Sequence, residues 1–335
     1  MKRHHWKNFD RRKEYGLDKN ENCDTYLRKF IDSNFYRKLN DKHIAEYPCT
    51  ANAYKDMCDL YSCDDSHIFL TPGCEQGIKS VLEIYSTNPT NKLTYFQPTF
   101  GMVPVYADYY RYNREVIDYK YTTGKFMVSI PTEGDVLYVA DPDNPTGSTI
   151  EVKGTRKIEQ LCKNFKAVIL DKAYATINEV KSLIPLTAEY SNLYILHTFS
   201  KLYSAAGLRI GCIISNKSNI DNLYGYRPMY ELNSIACQYI NFVKHNYMTF
   251  ENSVNNLHES KRYIESQFNI ITTVVPSNGN FVIAEKSDKL LAVLGNDIDY
   301  REINVNEHKF IRVTVPDLNL AKKLFHINEI WGNKR

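Results

Sequence analysis

The sequence predicts an α/β protein whose main sheet is mostly parallel, and two observations lead to this fold class. Short apolar runs rich in β-branched residues recur along the first two thirds of the chain, and segments with apolar residues at three- and four-residue spacing lie between several of them. Strands that alternate with helices form parallel sheets covered on both faces. A chain of 335 residues is long enough for one such domain and a smaller second one.

Seven runs are the predicted strands. In chain order they are HIFL (67–70), KLTYFQ (92–97), EVIDY (115–119), DVLYVA (135–140), AVILD (167–171), NLYILH (192–197) and GCIIS (211–215). Between them, CEQGIKSVLEIY and TRKIEQLCKNF have the spacing of helices that pack one face on a sheet. We therefore expect a seven-stranded sheet between two layers of helices.

The character of the sequence changes from about Met229 onward. The helical pattern SVNNLHESKRYIESQF is followed by the strand-like runs ITTVV, NFVIAE and KFIRVTV, and LNLAKKLFHINEI is again helical in spacing. This order predicts a smaller α+β domain. We expect an N-terminal arm over residues 1–30 that packs on the small domain or on a partner subunit, a large domain over 31–228 and the small domain over 229–335.

Composition excludes several classes of protein. The net charge of +3 is too small to indicate a nucleic-acid-binding protein, although the basic start MKRHHWKNFDRRKEYG fits either a phosphate-attracting arm or a solvated terminus. No apolar run reaches the roughly 18 residues that span a bilayer, and no apolar segment typical of a signal peptide follows the start. The eight cysteines are scattered without metal-ligand spacing, which predicts free thiols in a cytoplasmic protein and no metal site.

Candidate functional residues follow the predicted strands, because ligands of parallel α/β sheets bind beyond the carboxyl ends of the strands. After the first run, TPGCEQGIKS is a glycine-containing turn that opens a helix, whose N-terminal amides can bind an anion, although its spacing is too short for a nucleotide P-loop. Phe100 follows the second run, and Asn144 lies in the turn DPDNPTG after the fourth. Asp171 ends the fifth run, and Lys201 follows the sixth.

These five features together fit pyridoxal 5′-phosphate (PLP). The helix N-terminus would bind the phosphate, Phe100 would stack on the ring, and the amide of Asn144 would contact the phenolic oxygen. Lys201 would form the Schiff base, since its nucleophilic state is favoured by desolvation. A carboxylate at Asp171 is costly in an apolar run unless it is paired, and the protonated pyridine nitrogen is a suitable partner.

Beyond this constellation, the sequence resembles the fold-type I PLP-dependent aminotransferases of class I/II, and within them it is most similar to the histidinol-phosphate aminotransferases. The resemblance extends from about Leu17 to Thr314 and rests on motifs in the family's order: LDKNEN, EYP, GCEQGI, PTFGM, DNPTG, DKAY, TFSKLYSAAGLRIG, SNGNFV and KFIRVTV. It implies the fold of the fold-type I transferases. It also implies transfer of an amino group between an amino-acid donor and a small, phosphorylated keto acceptor, with histidinol phosphate as the leading substrate and a phosphorylated amino alcohol as another.

The resemblance also implies a role for each matching residue. The expected catalytic residues are Lys201, Asp171 and Tyr174. The expected cofactor-binding residues are Cys74, Glu75, Gln76, Phe100, Asn144, Asp171, Tyr174, Ser200, Lys201, Arg209 and Tyr47. Tyr47 is expected to reach the PLP of a partner subunit, which implies a homodimer. The expected substrate-binding residues are Arg301, Arg312 and Asn20, although Arg301 lies among polar neighbours typical of a solvated loop.

Some positions depart from the family's pattern, and they bear on the substrate rather than on the cofactor. They are Cys74 for serine, Gln76 for glutamate, Phe100 for tyrosine, Lys172 for glutamate, Glu231 for asparagine and Cys23 for proline. Two other functions stay open. A decarboxylase similar to the threonine-phosphate decarboxylases would carry the same motifs. A non-catalytic PLP-binding regulator would need a DNA-binding domain, for which an arm of about 30 residues leaves no room.

Overall fold

The computed structural model describes residues 13–150 and 154–327. The helices are α1 (Thr25–Asn34), α2 (Lys42–Ala45), α3 (Thr50–Tyr61), α4 (Gly73–Ser86), α5 (Met102–Tyr109), α6 (Arg156–Asn164), α7 (Ile177–Leu183), α8 (Pro185–Glu189), α9 (Lys217–Tyr224), α10 (Ser234–His245), α11 (Tyr247–Phe268), α12 (Asp288–Leu294) and α13 (Leu318–Leu324). The strands are β1 (Tyr15–Gly16), β2 (Ile68–Thr71), β3 (Lys92–Gln97), β4 (Asn113–Asp118), β5 (Lys120–Thr122), β6 (Lys125–Met127), β7 (Gly134–Ala140), β8 (Phe165–Asp171), β9 (Leu193–Thr198), β10 (Gly211–Ile214), β11 (Val274–Val275), β12 (Phe281–Glu285), β13 (Ile298–Asp299), β14 (Arg301–Val305) and β15 (His308–Thr314). None of the described helices is long and apolar enough to cross a bilayer.

A seven-stranded sheet in the order β2-β10-β9-β8-β7-β3-β4 forms the centre of the molecule. The five strands from β9 to β4 are parallel to their neighbours, whereas β10 pairs antiparallel with both β9 and β2. Each predicted run overlaps one of these strands. The predicted fold class, a mostly parallel seven-stranded sheet, is confirmed.

Helices cover both faces of this sheet because alternate residues of its strands are apolar on opposite sides. In β9, Leu193 and Ile195 join the core that faces α3, α7 and α10, whereas Tyr194 and Leu196 join the core that faces α4, α5 and α9. The predicted helix around 74–85 is α4, and its buried residues lie at helical spacing on the sheet side.

A second, antiparallel sheet in the order β11-β12-β15-β14 forms a smaller core with α11, α12 and α13. The N-terminal segment belongs to this core as well. β1 pairs parallel with β13, and the carbonyl of Leu17 accepts a hydrogen bond of 2.8 Å from the amide of Thr314. Residues 1–12 of the predicted arm and residues 328–335 of the predicted small domain lie outside the described residues.

The change from the first core to the second takes place inside α11. Phe250 and Val254 of this helix pack in the first core, and Ile264 and Phe268 pack in the second. α10 packs against α3 of the first core. The change therefore comes later in the chain than the predicted boundary at Met229, and the domain limits stay a prediction.

The two parts also meet at the turn after β7. The amide of Asn278 donates a hydrogen bond of 2.8 Å to the carbonyl of Gly147. Gly147 has a φ of +65°, and a Cβ there would lie 2.3 Å from the hydroxyl of Ser277. Glycine is therefore required at position 147 both for the backbone conformation and for the close approach.

Candidate active site

A cavity of about 380 Å³ lies where β7, β8 and β9 end. Their last residues or the residues just beyond contribute to its wall, as expected for a parallel sheet. The wall is formed by Lys19, Glu21, Cys74, Glu75, Phe100, Tyr138, Ala140, Pro142, Asn144, Asp171, Ala173, Tyr174, Thr198, Ser200, Lys201, Ala206, Gly207 and Arg209. Nine of the predicted cofactor residues are in this set, and they come from five separate segments of the chain.

The side chain of Lys201 is the amine of the cavity. It follows β9, and its Nζ donates a hydrogen bond of 2.8 Å to the carbonyl of Lys19. Loss of hydration lowers the pKa of this amine to about 8, and the positive charge of Arg312 acts in the same direction. At neutral pH a useful fraction of Lys201 is therefore unprotonated and nucleophilic.

The carboxylate of Asp171 lies at the buried end of β8. It accepts hydrogen bonds from the hydroxyl of Tyr138 at 2.8 Å and from the amide of Ala173 at 3.0 Å. Burial raises the pKa of Asp171, whereas these donors and the thiol of Cys74 oppose the rise. All three donors are neutral, so a cationic partner in the cavity would stabilise the charged carboxylate further.

The N-terminus of α4 forms one end of the cavity and is suited to an anion. The residue before the helix is Pro72, which makes no side-chain cap, so the first amides of α4 are open to a ligand. Arg209 donates to the carbonyl of Pro72 at 3.3 Å, which holds its guanidinium beside this helix end. The hydroxyl of Ser200 lies 3.5 Å from the same guanidinium.

Two glycines allow this arrangement. A Cβ on Gly73 would lie 2.7 Å from the guanidinium of Arg209, and Gly73 has a φ of +80°. A Cβ on Gly211 would lie 2.6 Å from the backbone of Gly73 and 3.0 Å from the amide of Cys74. The first strand–helix turn and β10 are therefore in backbone contact, which places Arg209 at the helix end.

Asn144 and Tyr174 form the wall that faces the smaller sheet. The side-chain oxygen of Asn144 accepts a hydrogen bond from Arg312, which leaves its amide nitrogen to donate elsewhere. The hydroxyl of Tyr174 accepts a hydrogen bond of 3.0 Å from Asn20, and burial raises its pKa to about 12. The tyrosine therefore stays protonated at neutral pH and can donate its hydroxyl hydrogen.

Asp143 ties together the loops that carry Phe100 and Asn144. Its carboxylate accepts hydrogen bonds from the hydroxyl of Thr99 at 2.9 Å and from that of Thr146 at 2.8 Å. Burial raises the pKa of this carboxyl group to about 7. Phe100 follows Thr99 directly, so the position of this ring depends on the same carboxylate.

Besides the two arginines described next, three predicted site residues have side chains away from the cavity wall. Asn20 is buried between Tyr174 and Thr314 and hydrogen-bonds to both, so its role toward a substrate stays a prediction. The side chain of Gln76 donates to Ser80 and lines a different cavity, because adjacent helical positions point to different sides. Tyr47 is 81% exposed and stacks on Tyr230 at 4.7 Å between ring centroids.

The two predicted substrate arginines lie behind Asn144 on the smaller sheet. Arg301 and Arg312 are direct partners in the β14–β15 pairing, so their side chains share one face of the sheet. Arg301 is about half exposed and forms an ion pair of 3.3 Å with Asp18, and Arg312 donates to the carbonyl of Asp18 at 2.7 Å. The Nε of Arg312 is buried and has no hydrogen-bond partner among the described residues.

Two of the departures from the family's pattern have a structural explanation. Lys172 forms an ion pair of 3.0 Å with Asp141 at the end of β7. Glu231 is buried and accepts hydrogen bonds from Tyr54 at 2.9 Å and Arg227 at 2.7 Å. Both charges are therefore paired outside the cavity.

Tyr138, Lys19 and Glu21 line the cavity but were not predicted as site residues. Tyr138 is the only hydroxyl-bearing side chain in the run DVLYVA, and this single hydroxyl in a buried strand could have indicated a hydrogen-bond donor at the site. Lys19 and Glu21 flank Asn20 in LDKNEN, and nothing in their spacing indicates which of the three faces the cavity.

The pattern that describes the family "Aminotransferase class I and II" matches residues 14–327. The chain belongs to this aminotransferase family. Among its curated relatives, the histidinol-phosphate aminotransferase of Bacteroides thetaiotaomicron is 27% identical over 230 residues, which are 66% of each chain. The histidinol-phosphate aminotransferase of Bacteroides fragilis (strain ATCC 25285) is 25% identical over 84% of this chain and 83% of its own.

Solved structures share the fold of this chain. The histidinol-phosphate aminotransferase from Clostridium acetobutylicum has a TM-score of 0.76 at 18% identity, over 95% of this chain and 99% of its own. The histidinol-phosphate aminotransferase from Sinorhizobium meliloti, solved in complex with PLP, has a TM-score of 0.71 at 17% identity, over 96% of this chain and 92% of its own. L-threonine-O-3-phosphate decarboxylase from Porphyromonas gingivalis has a TM-score of 0.74 at 16% identity, over 96% of this chain and 100% of its own. The fold therefore does not distinguish transamination from decarboxylation.

PLP is the cofactor of this protein, and the cavity fits it. An amine of lowered pKa, a buried carboxylate with neutral donors and an anion-binding helix end surround one space. In their chemistry these groups are complementary to the aldehyde, the ring nitrogen and the phosphate of PLP.

We expect Gly211→Ala to weaken PLP binding, because the added methyl group would push Gly73 and the amide of Cys74 away from the cavity. Overpacking of this kind costs about 1–3 kcal/mol, which raises the dissociation constant of PLP roughly five- to 150-fold if it is expressed in binding. Gly101→Ala is the matched control, since a Cβ at Gly101 meets no atom within 4 Å and Gly101 is not in the cavity wall. PLP retained after dialysis is the measurement, and equal retention by both variants would contradict the prediction.

Proposed function

We propose that the protein is a PLP-dependent aminotransferase that moves an amino group between an amino acid and a small phosphorylated substrate, as the named function of its relatives suggests. One observation carries the proposal: the amine of Lys201, the carboxylate of Asp171 and the uncapped N-terminus of α4 face a single cavity. A reaction that needs an amine, a buried acid and an anion site is served by this arrangement.

In this proposal each residue of the cavity has a defined task. The amides of Cys74 and Glu75, with Ser200 and Arg209, bind the cofactor phosphate. Asp171 binds the protonated ring nitrogen. When bound, PLP supplies an aldehyde that reacts with amines and a ring that withdraws electrons from the substrate carbon.

Lys201 is the proposed proton carrier. Its pKa of about 8 lies close to neutral pH, so its Nζ can accept a proton from the substrate carbon and return it to another atom. The carbonyl of Lys19 holds the Nζ at 2.8 Å on one side of the cavity. Tyr174 and the amide nitrogen of Asn144 orient the cofactor by donating to its phenolic oxygen.

The first test is the half-reaction with an amino donor alone. PLP-loaded protein given L-glutamate without acceptor should yield pyridoxamine 5′-phosphate, which chromatography of the released cofactor measures. Lys201→Ala should lower the rate at least about 100-fold, because it removes the general acid–base. Lys163→Ala, at an exposed position of α6, should not change it. Release of carbon dioxide from a phosphorylated amino acid, with no pyridoxamine form, would favour decarboxylation instead.

The pair Arg301 and Arg312 supports a phosphorylated substrate. Two guanidinium groups on one face repel each other unless an anion lies near, and the carboxylate of Asp18 balances only one of the two charges. The buried Nε of Arg312 is a donor with no partner among the described residues, and phosphate oxygens are suitable acceptors for it. Arg301 would have to turn from Asp18 toward the substrate.

We therefore expect Arg301→Ala to lower kcat/KM for histidinol phosphate while leaving the unphosphorylated amine histidinol unchanged. A charge-assisted hydrogen bond contributes about 1.5–3 kcal/mol, which corresponds to a loss of roughly 10- to 150-fold. Lys309→Ala, which removes an exposed charge of the same β14–β15 hairpin, is the matched control. Equal losses for both substrates would show that Arg301 does not recognise the phosphate.

We also propose a homodimer with Tyr47 at the interface. Large apolar side chains next to it and to its stacking partner Tyr230 are exposed: Ile44, three residues before Tyr47, at 82% and Met229, adjacent to Tyr230, at 78%. Exposed apolar groups gathered in one region are typical of protein interfaces. Tyr47 does not reach the cavity of its own chain, in keeping with a role in the partner's site. Sedimentation velocity should give a dimer, and an active monomer at the assay concentration would contradict this.

A further inference from the structure

The C-terminal end of α3 brings two cysteines together. Ser62, just after the helix, has a left-handed backbone with a φ of +54°. The amide of Cys63 then donates a hydrogen bond of 3.1 Å to the carbonyl of Cys58. This is the Schellman arrangement, in which the second residue beyond the helix folds back over the residue in its last turn. The backbone therefore sets the side chain of Cys63 against that of Cys58.

The two thiols contact each other and are unlike in acidity. A hydrogen bond between them lowers the pKa of Cys58 and raises the pKa of Cys63, while burial and the nearby carboxylates of Asp59, Asp64 and Asp65 act against the thiolate of Cys58. Both side chains are partly exposed and line one open cleft on the surface. A reagent in solution can therefore reach the more acidic thiol.

The other cysteines are less favourably placed. Cys49, exposed at the start of α3, and Cys237 of α10 also line one cleft, but Cys237 is buried. Cys212, the nearest alternative partner of Cys63, is fully buried on β10, where its thiol is next to Tyr61. Access and backbone geometry therefore favour one pairing.

We propose that Cys58 and Cys63 form a reversible disulfide that acts as a redox-sensitive modification site outside the active-site cavity. The backbone hydrogen bond between the two residues and their shared cleft carry this inference. The ring closed by the bond would contain residues 58–63 and would include Tyr61, whose hydroxyl is hydrogen-bonded to His197 of β9.

The oxidant is a small-molecule disulfide such as oxidised glutathione. The Cys58 thiolate attacks one sulfur of glutathione disulfide, the S–S bond of the reagent breaks, and one glutathione thiolate leaves. Cys63 loses its proton to water and attacks the Cys58 sulfur, which releases the second glutathione. Two protein thiols are oxidised, and one glutathione disulfide is reduced to two thiols.

The test uses full-length, PLP-loaded protein in a series of glutathione buffers from reduced to oxidised. After acid quenching and alkylation, intact mass should show the loss of two thiol hydrogens, and peptide mapping should place the bond between Cys58 and Cys63. Cys49→Ser and Cys212→Ser, the matched controls, should oxidise like the wild type. Cys63→Ser should accumulate a glutathione adduct on Cys58, since no second thiol is in place to displace it.

Three results would overturn the proposal. One is a Cys63–Cys212 bond. Another is a stable glutathione adduct on Cys58 of the wild type, which would show that Cys63 cannot reach it. The third is full alkylation of both thiols in the most oxidised buffer. None of these results depends on transaminase activity, so the outcome is independent of the proposed function.

Discussion

The buried carboxylate of Asp171 is the constraint on which the site depends. It is placed by register: Asp171 is paired with Ala140 of β7 on one side and with Leu196 of β9 on the other. A charge at this depth needs donors, and Tyr138 and the amide of Ala173 provide them from the neighbouring strand and the following turn. The strands that position these donors also bring Asn144 and Lys201 to the same edge of the sheet.

Much of the fold could be predicted because the strands of a covered parallel sheet are continuous apolar runs. All seven runs overlap strands of one sheet, and their limits differ from those of the strands by at most two residues. The predicted run ITTVV has only Val274 and Val275 in a strand, and β1, β5, β6, β13 and β14 were not predicted. The strands β1, β11 and β13 have only two residues each, which is too short for an alternating pattern to be recognised. Whether so short a segment is a strand depends on the strand it pairs with. Helical spacing also does not reveal which core a helix packs on, so the contact of α10 with α3 could not be read from the sequence.

The site was predicted where a residue follows a strand, and less well where its direction depends on packing. Phe100, Asn144, Asp171 and Lys201 line the cavity because strand ends fix their place. In contrast, the side chain of Asn20 is not in the cavity wall, whereas its neighbours Lys19 and Glu21 line the cavity. Asn20 has a left-handed backbone with a φ of +57°, which the sequence alone does not indicate.

The ion pair of Lys172 with Asp141 restricts how this chain can diverge. Both side chains are largely shielded from water, so the loss of one partner would leave an unbalanced interior charge, at a cost of about 3–5 kcal/mol. A return of Lys172 to the glutamate usual in the family would set two carboxylates against each other beside the active site. The two positions are therefore expected to vary together in descendants of this sequence, as one inherited unit.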